Sequence, residues 1–246
     1  MPDPTIKIPE GMDFVGGGDF VATGKEFLGH FRELCDLRPD EQLLDVGCGI
    51  GRMAVPLTGY LNARGSYHGI DVVAKGIRWC QDNIASRYRN FNFVHADIRN
   101  RQYNPKGRLL PREYRFPFAA DTFDFVFLTS VFTHMLPDDL EHYLAETFRV
   151  LRCGGRTLIS YFLLNPESRE LIARGRSNQQ FKFELGFCKT VLRRNPEAAI
   201  AYPEEHIRKL YAGQGLSLRE PIRYGSWCGR ENFLSYQDLV IAEKTA

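Results

Sequence analysis

The chain has 246 residues, 43% hydrophobic and 25% charged, the proportions of an ordinary globular protein, and no apolar run reaches the ~20 residues of a membrane span. A formal net charge of +2 is too small to imply nucleic-acid binding by itself. Six scattered cysteines without a C-x-x-C pair argue against a zinc site or a disulfide framework, and M-P-D-P-T-I-K-I-P-E lacks the basic and apolar regions of a secretory signal. One domain over residues 1–246, with reduced thiols and a cytoplasmic location, is expected.

Residues 11–20, G-M-D-F-V-G-G-G-D-F, are too glycine-rich for a regular element. Residues 1–22 read as a flexible N-terminal lid that closes Phe14 and Phe20 over a ligand, or as a frayed terminus. A helix over 23–35 follows, with apolar positions 27, 28, 31 and 34. Residues 41–52 read E-Q-L-L-D-V-G-C-G-I-G-R. Leu43, Leu44 and Val46 form the short apolar run of a strand buried on both faces of a parallel sheet. Gly47, Gly49 and Gly51 then follow Asp45 as D-x-G-x-G-x-G, directly before an amphipathic segment over 53–61. Glycine permits a tight strand-to-helix turn and exposes backbone to a ligand, while a helix N-terminus offers N–H groups to an anion. The dinucleotide fingerprint G-x-G-x-x-G needs glycine at 52 and finds Arg52, which argues against NAD.

In this motif the sequence resembles the class I S-adenosylmethionine-dependent methyltransferases. The resemblance implies an α/β, Rossmann-like, doubly wound seven-stranded sheet, mostly parallel with an antiparallel C-terminal hairpin, and S-adenosyl-L-methionine as cofactor. It implies cofactor contacts from Phe20, Asp45, Gly47, Cys48, Gly49, Arg52, Asp71, Val72, Asp97, Ile98 and Thr129.

The later elements fit in order. S-Y-H-G-I-D-V is a second strand ending at Asp71, 20 residues beyond Gly51. A carboxylate there accepts hydrogen bonds from ribose hydroxyls in related sites; capping the helix that begins near Val73 and runs to about 88 is the alternative. F-N-F-V-H is a third strand, after which Asp97 and Ile98 stand where the family holds adenine. His95 reads as an interior or surface histidine. Residues 98–117 form a basic insertion, with six basic residues and one acidic, Glu113, between 99 and 115. T-F-D-F-V-F-L-T is the fourth strand, and a helix from Pro137 to the C-G-G at 153–155 leads into R-T-L-I-S-Y-F-L-L. The resemblance covers 41–163. A helix over 203–211 and strands over 216–224 and 236–243 suit the end of the fold. Residues 166–202 are then an inserted helical cap with a second basic excess that includes Lys189, Arg193 and Arg194.

Methyl transfer from a sulfonium is an in-line displacement, so the protein mainly orients the acceptor, excludes water and removes a proton from a hydroxyl. His134, just past the fourth strand, is the first candidate base, with Tyr161 and Tyr224 behind it; packing against the following helix is the bland reading of His134. Phe132, Trp227 and Arg230 are candidates for an acceptor pocket, Phe132 more as core. Arg112 and Arg193 are expected to border its entrance and favour an anionic acceptor. T-S-V-F after the fourth strand is not the [DN]-P-P-[YF] of enzymes that methylate amino groups of bases or glutamine, and no Pro-Cys pair marks a cytosine-C5 enzyme. No carboxylate cluster suggests a catalytic metal. The reading is methyl transfer to a small-molecule acceptor, a hydroxyl of a sugar-containing or other secondary metabolite. RNA methylation, favoured by the basic segments, and a non-catalytic cofactor-binding module are the rivals.

Overall fold

The computed structural model describes Ile6 and residues 18–245. In chain order the main elements are α1 (Phe20–Leu34), β1 (Gln42–Val46), α2 (Ala54–Thr58), β2 (Ser66–Asp71), α3 (Ala74–Cys80), β3 (Phe91–His95), β4 (Phe123–Leu128), α4 (Pro137–Val150) and β5 (Leu151–Tyr161). There follow β6 (Leu163–Leu164), α5 (Pro166–Ala173), β7 (Phe183–Leu185), β8 (Cys188–Thr190), β9 (Ile200–Pro203), α6 (Glu204–Gly213), β10 (Leu216–Leu218) and β11 (Asp238–Lys244). No helix among the described residues is long and apolar enough to cross a membrane.

The main sheet has seven strands in the order β10-β11-β5-β4-β1-β2-β3. β1 to β5 run parallel, and β11 is antiparallel to both β5 and β10. β1 is central because its alternate side chains are apolar on both faces: Leu44 and Val46 join one core, Leu43 the other. α4 and α6 cover the first face through Leu140, Tyr143, Leu144, Ile207 and Tyr211. α1, α2 and α3 cover the second through Phe27, Phe31, Leu57, Ile77 and Trp79. In α4 the buried residues 140, 143, 144 and 147 follow helical spacing, and Pro137 at its first position, then Asp138 and Asp139, complement the helix start. The order of connections reverses between β1 and β4, where a doubly wound sheet opens a crevice at the carboxyl ends of its strands.

Four expectations shift. Helix α1 begins at Phe20, capped by Asp19, whose Oδ1 accepts the Ala22 N–H at 2.6 Å. Phe20 is therefore helical rather than part of a loop, whereas Phe14 and most of the expected lid lie outside the described residues. The helix expected to run to 88 is α only over Ala74–Cys80 and continues as one π-helical turn, Gln81–Ala85. β10 is three residues long, not nine. The helical cap holds one helix, α5, and then a small sheet in the order β6-β9-β8-β7. Its sequence signal is F-E-L-G-F-C-K-T: Leu185 pairs with Cys188 across the two-residue turn Gly186-Phe187, with Gly186 at φ +60°.

Candidate active site

A cavity of about 820 Å³ opens at the carboxyl ends of β1, β2 and β4, within the range of small-ligand sites. At one end is the glycine turn. Gly47 has φ +86°, and a Cβ there would stand 2.3 Å from Val131 Cγ2, so only glycine fits. The Gly47 and Cys48 N–H groups donate to the Ile70 carbonyl at 2.8 and 3.1 Å, tying the turn to β2. Asp71 lines the cavity and fixes the turn from the other side, accepting the Gly49 N–H on Oδ2 at 2.8 Å and the Val73 N–H on Oδ1 at 2.7 Å. A carboxylate has about four lone-pair sites, so acceptor capacity toward the cavity is left.

Asp45 is 1% exposed and accepts the Tyr67 hydroxyl on Oδ2 at 2.6 Å, while its Oδ1 is buried with no partner among the described residues. Burial pushes its pKa up to about 8, against the Tyr67 bond. With Gly47, Cys48, Gly49, Arg52 and Thr129 it borders a side cavity of about 80 Å³. Val72, Ile98 and Thr129 line the main cavity, as do Gly18, Thr23, Glu26 and Phe27 from the start of α1. Phe20 does not line it. Its ring packs under Arg52, whose Cζ is 5.6 Å from the ring centroid.

Asp97 is turned away. The insertion folds back through a bridge between Ile98 and Leu109, which brings Arg108 onto the Asp97 carboxylate at the surface. Ala96 and Ile98 face the cavity instead.

The other end is roofed by both insertions: Asn100, Tyr103 and Pro111 from the first, Gln179, Val191, Glu197, Ala198 and Ala199 from the cap. His134, in a single 3-10 turn (Phe132–His134), lines this half. Its Nδ1 donates to the Glu197 carbonyl at 2.8 Å, which makes Nε2 the basic nitrogen of the neutral ring. Burial holds its pKa below the usual histidine value. Tyr103 meets it edge to face at 5.6 Å. Ser130 has φ +60°, a strained conformation for a residue with a side chain. It is held by its N–H to Ser160 Oγ at 2.7 Å and its hydroxyl to Gln237 Oε1 at 3.0 Å.

Several sequence candidates lie elsewhere. Tyr161 is fully buried in the α4 and α6 face, sharing a 3.0 Å hydrogen bond with the Tyr211 hydroxyl, and Phe132 packs against it in the core. Tyr224 donates to Glu204 Oε2 at 2.9 Å, under the Arg230 guanidinium at 4.7 Å. Trp227 is fully buried and donates from Nε1 to Asp238 Oδ2 at 2.7 Å. Arg230, 6% exposed, reaches Asp238 Oδ1 at 3.0 Å, Glu167 Oε2 at 2.7 Å and Asn165 Oδ1 at 3.3 Å. The 224–230 loop thus staples α5 to β11 rather than meeting a substrate. Arg112 and Arg193 are exposed and do not line the cavity. Sequence reasoning missed Asn100, Tyr103, Ser130, Asp139, Glu197 and Gln237, none of which carries a local motif.

Residues 43–155 match a family model described as a methyltransferase domain. Over 155 residues, 62% of this chain, it is 28% identical to a phosphoethanolamine N-methyltransferase of Triticum aestivum, covering 26% of that protein. It is 30% identical over 119 residues, 48% of this chain, to 27% of a sterol 24-C-methyltransferase of Schizosaccharomyces pombe. The chain thus spans about a quarter of the length of these relatives. Among solved structures, a Methanosarcina mazei protein described as a SAM-dependent methyltransferase aligns with TM-score 0.57 and 20% identity, over 85% of this chain and 94% of that one. The PH0226 protein of Pyrococcus horikoshii aligns with TM-score 0.61 and 16% identity, over 95% of each chain.

The residues present fit the cofactor of that family. The unpartnered Asp45 oxygen suits an ammonium group, Asp71 retains acceptor capacity for ribose hydroxyls, and Val72 and Ile98 give apolar walls for a base. Residues 43–155 thus match a methyltransferase domain, and the sheet around them has the strand order expected of the class I S-adenosylmethionine-dependent methyltransferases, for which S-adenosyl-L-methionine is the implied cofactor.

Proposed function

We propose that the chain methylates a hydroxyl of a small molecule, a sugar-containing or other secondary metabolite, with His134 as general base. The observation that carries this reading is the His134 geometry: a cavity-lining imidazole whose Nδ1 proton is committed to the Glu197 carbonyl, leaving Nε2 to accept a proton. When bound, the cofactor supplies an electrophilic methyl group on a sulfonium. Asp45 and Asp71 hold and orient it at the glycine turn. His134 orients the acceptor and takes its hydroxyl proton at Nε2, a role suited to a histidine that burial keeps neutral. Tyr103 and the cap residues Val191 and Ala199 close the chamber and limit access of water. We assign the reaction to the cytoplasm, supported by six free cysteines, five of them buried.

Replacing His134 tests the reading. His134→Ala is expected to lower kcat about 10²- to 10⁴-fold across a panel of hydroxyl acceptors, with S-adenosylhomocysteine affinity unchanged. The neutral ring is the active form, so the wild-type rate should fall only as the pH drops through a pKa lying below the ordinary histidine value. A variant turning over within a few-fold of wild type would reduce His134 to packing.

A further inference from the structure

The acceptor half of the cavity is acidic and aromatic. Asp139, Glu197, Tyr103 and Tyr143 line it together with His134, which meets the Tyr103 ring and the Glu197 carbonyl, and no Lys or Arg stands among the described residues that line this half. Arg52, which also lines the cavity, stands at the opposite end beside Asp45 and Gly49.

The two carboxylates are not equivalent. Glu197 is engaged: its Oε1 accepts from Asn100 Nδ2 at 3.2 Å and the Arg101 N–H at 3.4 Å, and the Arg101 guanidinium stands 3.7 Å from Oε2. Asp139 is 5% exposed and uses only Oδ1, which accepts the Arg112 backbone N–H at 3.1 Å. Its Oδ2 has no hydrogen-bond partner, and no cation forms an ion pair with the carboxylate, among the described residues. The Arg112 side chain adds its charge from the surface without such a pair. Asp139 is the third residue of α4, where the helix start favours an acid, but that explains the charge and not an open oxygen at a chamber wall. Tyr143 presents an aromatic ring one turn further along the same helix, and Tyr103 presents another from the insertion.

A buried carboxylate short of partners is stabilised by a cation, repels an anion and gains little from a neutral group. Aromatic faces add attraction for an ammonium. We propose that the acceptor is a cation: a small hydroxyl compound carrying a protonated amine or quaternary ammonium, which Asp139 holds with the rings of Tyr103 and Tyr143 alongside. This rests on the methyl-transfer reading above, and it reverses the anionic preference expected from the basic segments.

Two matched sets of probes test it by calorimetry on protein saturated with S-adenosylhomocysteine. One set is tyramine, tyrosol and 4-hydroxyphenylacetate; the other is glucosamine, glucose and glucose 6-phosphate. In at least one set the cation should bind about tenfold more tightly than its neutral partner, and the anion most weakly. Asp139→Asn keeps the oxygen that accepts the Arg112 N–H, so the fold should hold and the preference should shrink to within about twofold; Asp139→Glu should retain it. No cation preference in either set, including no detectable binding, overturns the proposal. So does a preference that survives in Asp139→Asn. Failure of S-adenosylhomocysteine to bind at the outset overturns the methyltransferase reading itself, so the two failures are told apart.

Discussion

The two ends of the cavity are built by different means. At the cofactor end, Asp45, Gly47, Gly49 and Arg52 lie within eight residues, and backbone requirements dictate the side chains: a Cβ at Gly47 would collide with Val131. At the proposed acceptor end, Tyr103, His134, Asp139, Gln179 and Glu197 come from segments far apart in the chain, joined only when two insertions fold over the strand ends. A cofactor common to a family is held by geometry that one stretch of chain encodes. An acceptor particular to one enzyme is met by side chains that share no stretch.

The largest expected effect strikes the support of the roof rather than either end. Arg230→Ala leaves Asp238, fully buried, without its cation, and breaking a buried ion pair typically costs about 3–5 kcal/mol. Thermal unfolding should show this loss. It should also show a pH dependence, because burial already pushes the Asp238 carboxyl up to about 6, above the usual carboxylate range. A raised carboxylate favours the folded state below its unfolded pKa and loses that contribution as pH rises through the folded value. Removing the arginine raises the folded value further, so the deficit of Arg230→Ala against wild type should be smaller at pH 5 than at pH 8. An Arg230→Ala protein as stable as wild type would mean that the loop is not a staple, and would reopen the choice of 224–230 as substrate contacts.

A middling effect is expected at the cofactor end. Asp71→Ala removes the acceptors of the Gly49 and Val73 N–H groups as well as a cavity-lining carboxylate, the proposed partner of the ribose. Calorimetry with S-adenosylhomocysteine should record a weakening of about 1–3 kcal/mol, the scale of hydrogen bonds to a charged group. Unchanged affinity would leave Asp71 as a brace of the glycine turn alone.

The uneven legibility of the sequence has the same origin. Strand β1 and its turn can be read because alternation, the bounding charge and glycine spacing are local signals, and Phe91–His95 is bounded as expected for the same reason. The cap misleads because its helical start, Pro166–Ala173, is followed by three short strands whose pairing is set by Gly186 and by contact with β6. Asp97 matches the family position but is drawn off by Arg108, eleven residues along an insertion whose folding no motif announces. Trp227 and Arg230 look like a binding loop because aromatic, arginine and glycine compose staples as readily as sites. Asp139 passes unnoticed since an acid in the first turn of a helix needs no further reason.

The smallest expected effect marks the outer limit of the acceptor end. Arg193 lies on the outer surface of the roof, exposed, forming no ion pair among the described residues and not lining the cavity, although the basic excess around it suggested an anion at the entrance. Charge at such a place is screened within about 10 Å at ordinary ionic strength. Arg193→Glu should therefore change unfolding free energy by no more than about 0.5 kcal/mol and leave both S-adenosylhomocysteine affinity and acceptor KM within about twofold of wild type. The measurement still discriminates. If KM for a cationic acceptor falls several-fold in Arg193→Glu at low salt and the gain vanishes at high salt, the outer surface steers the acceptor by its field. If KM stays put under both conditions, selection is confined to the chamber wall around Asp139 and His134.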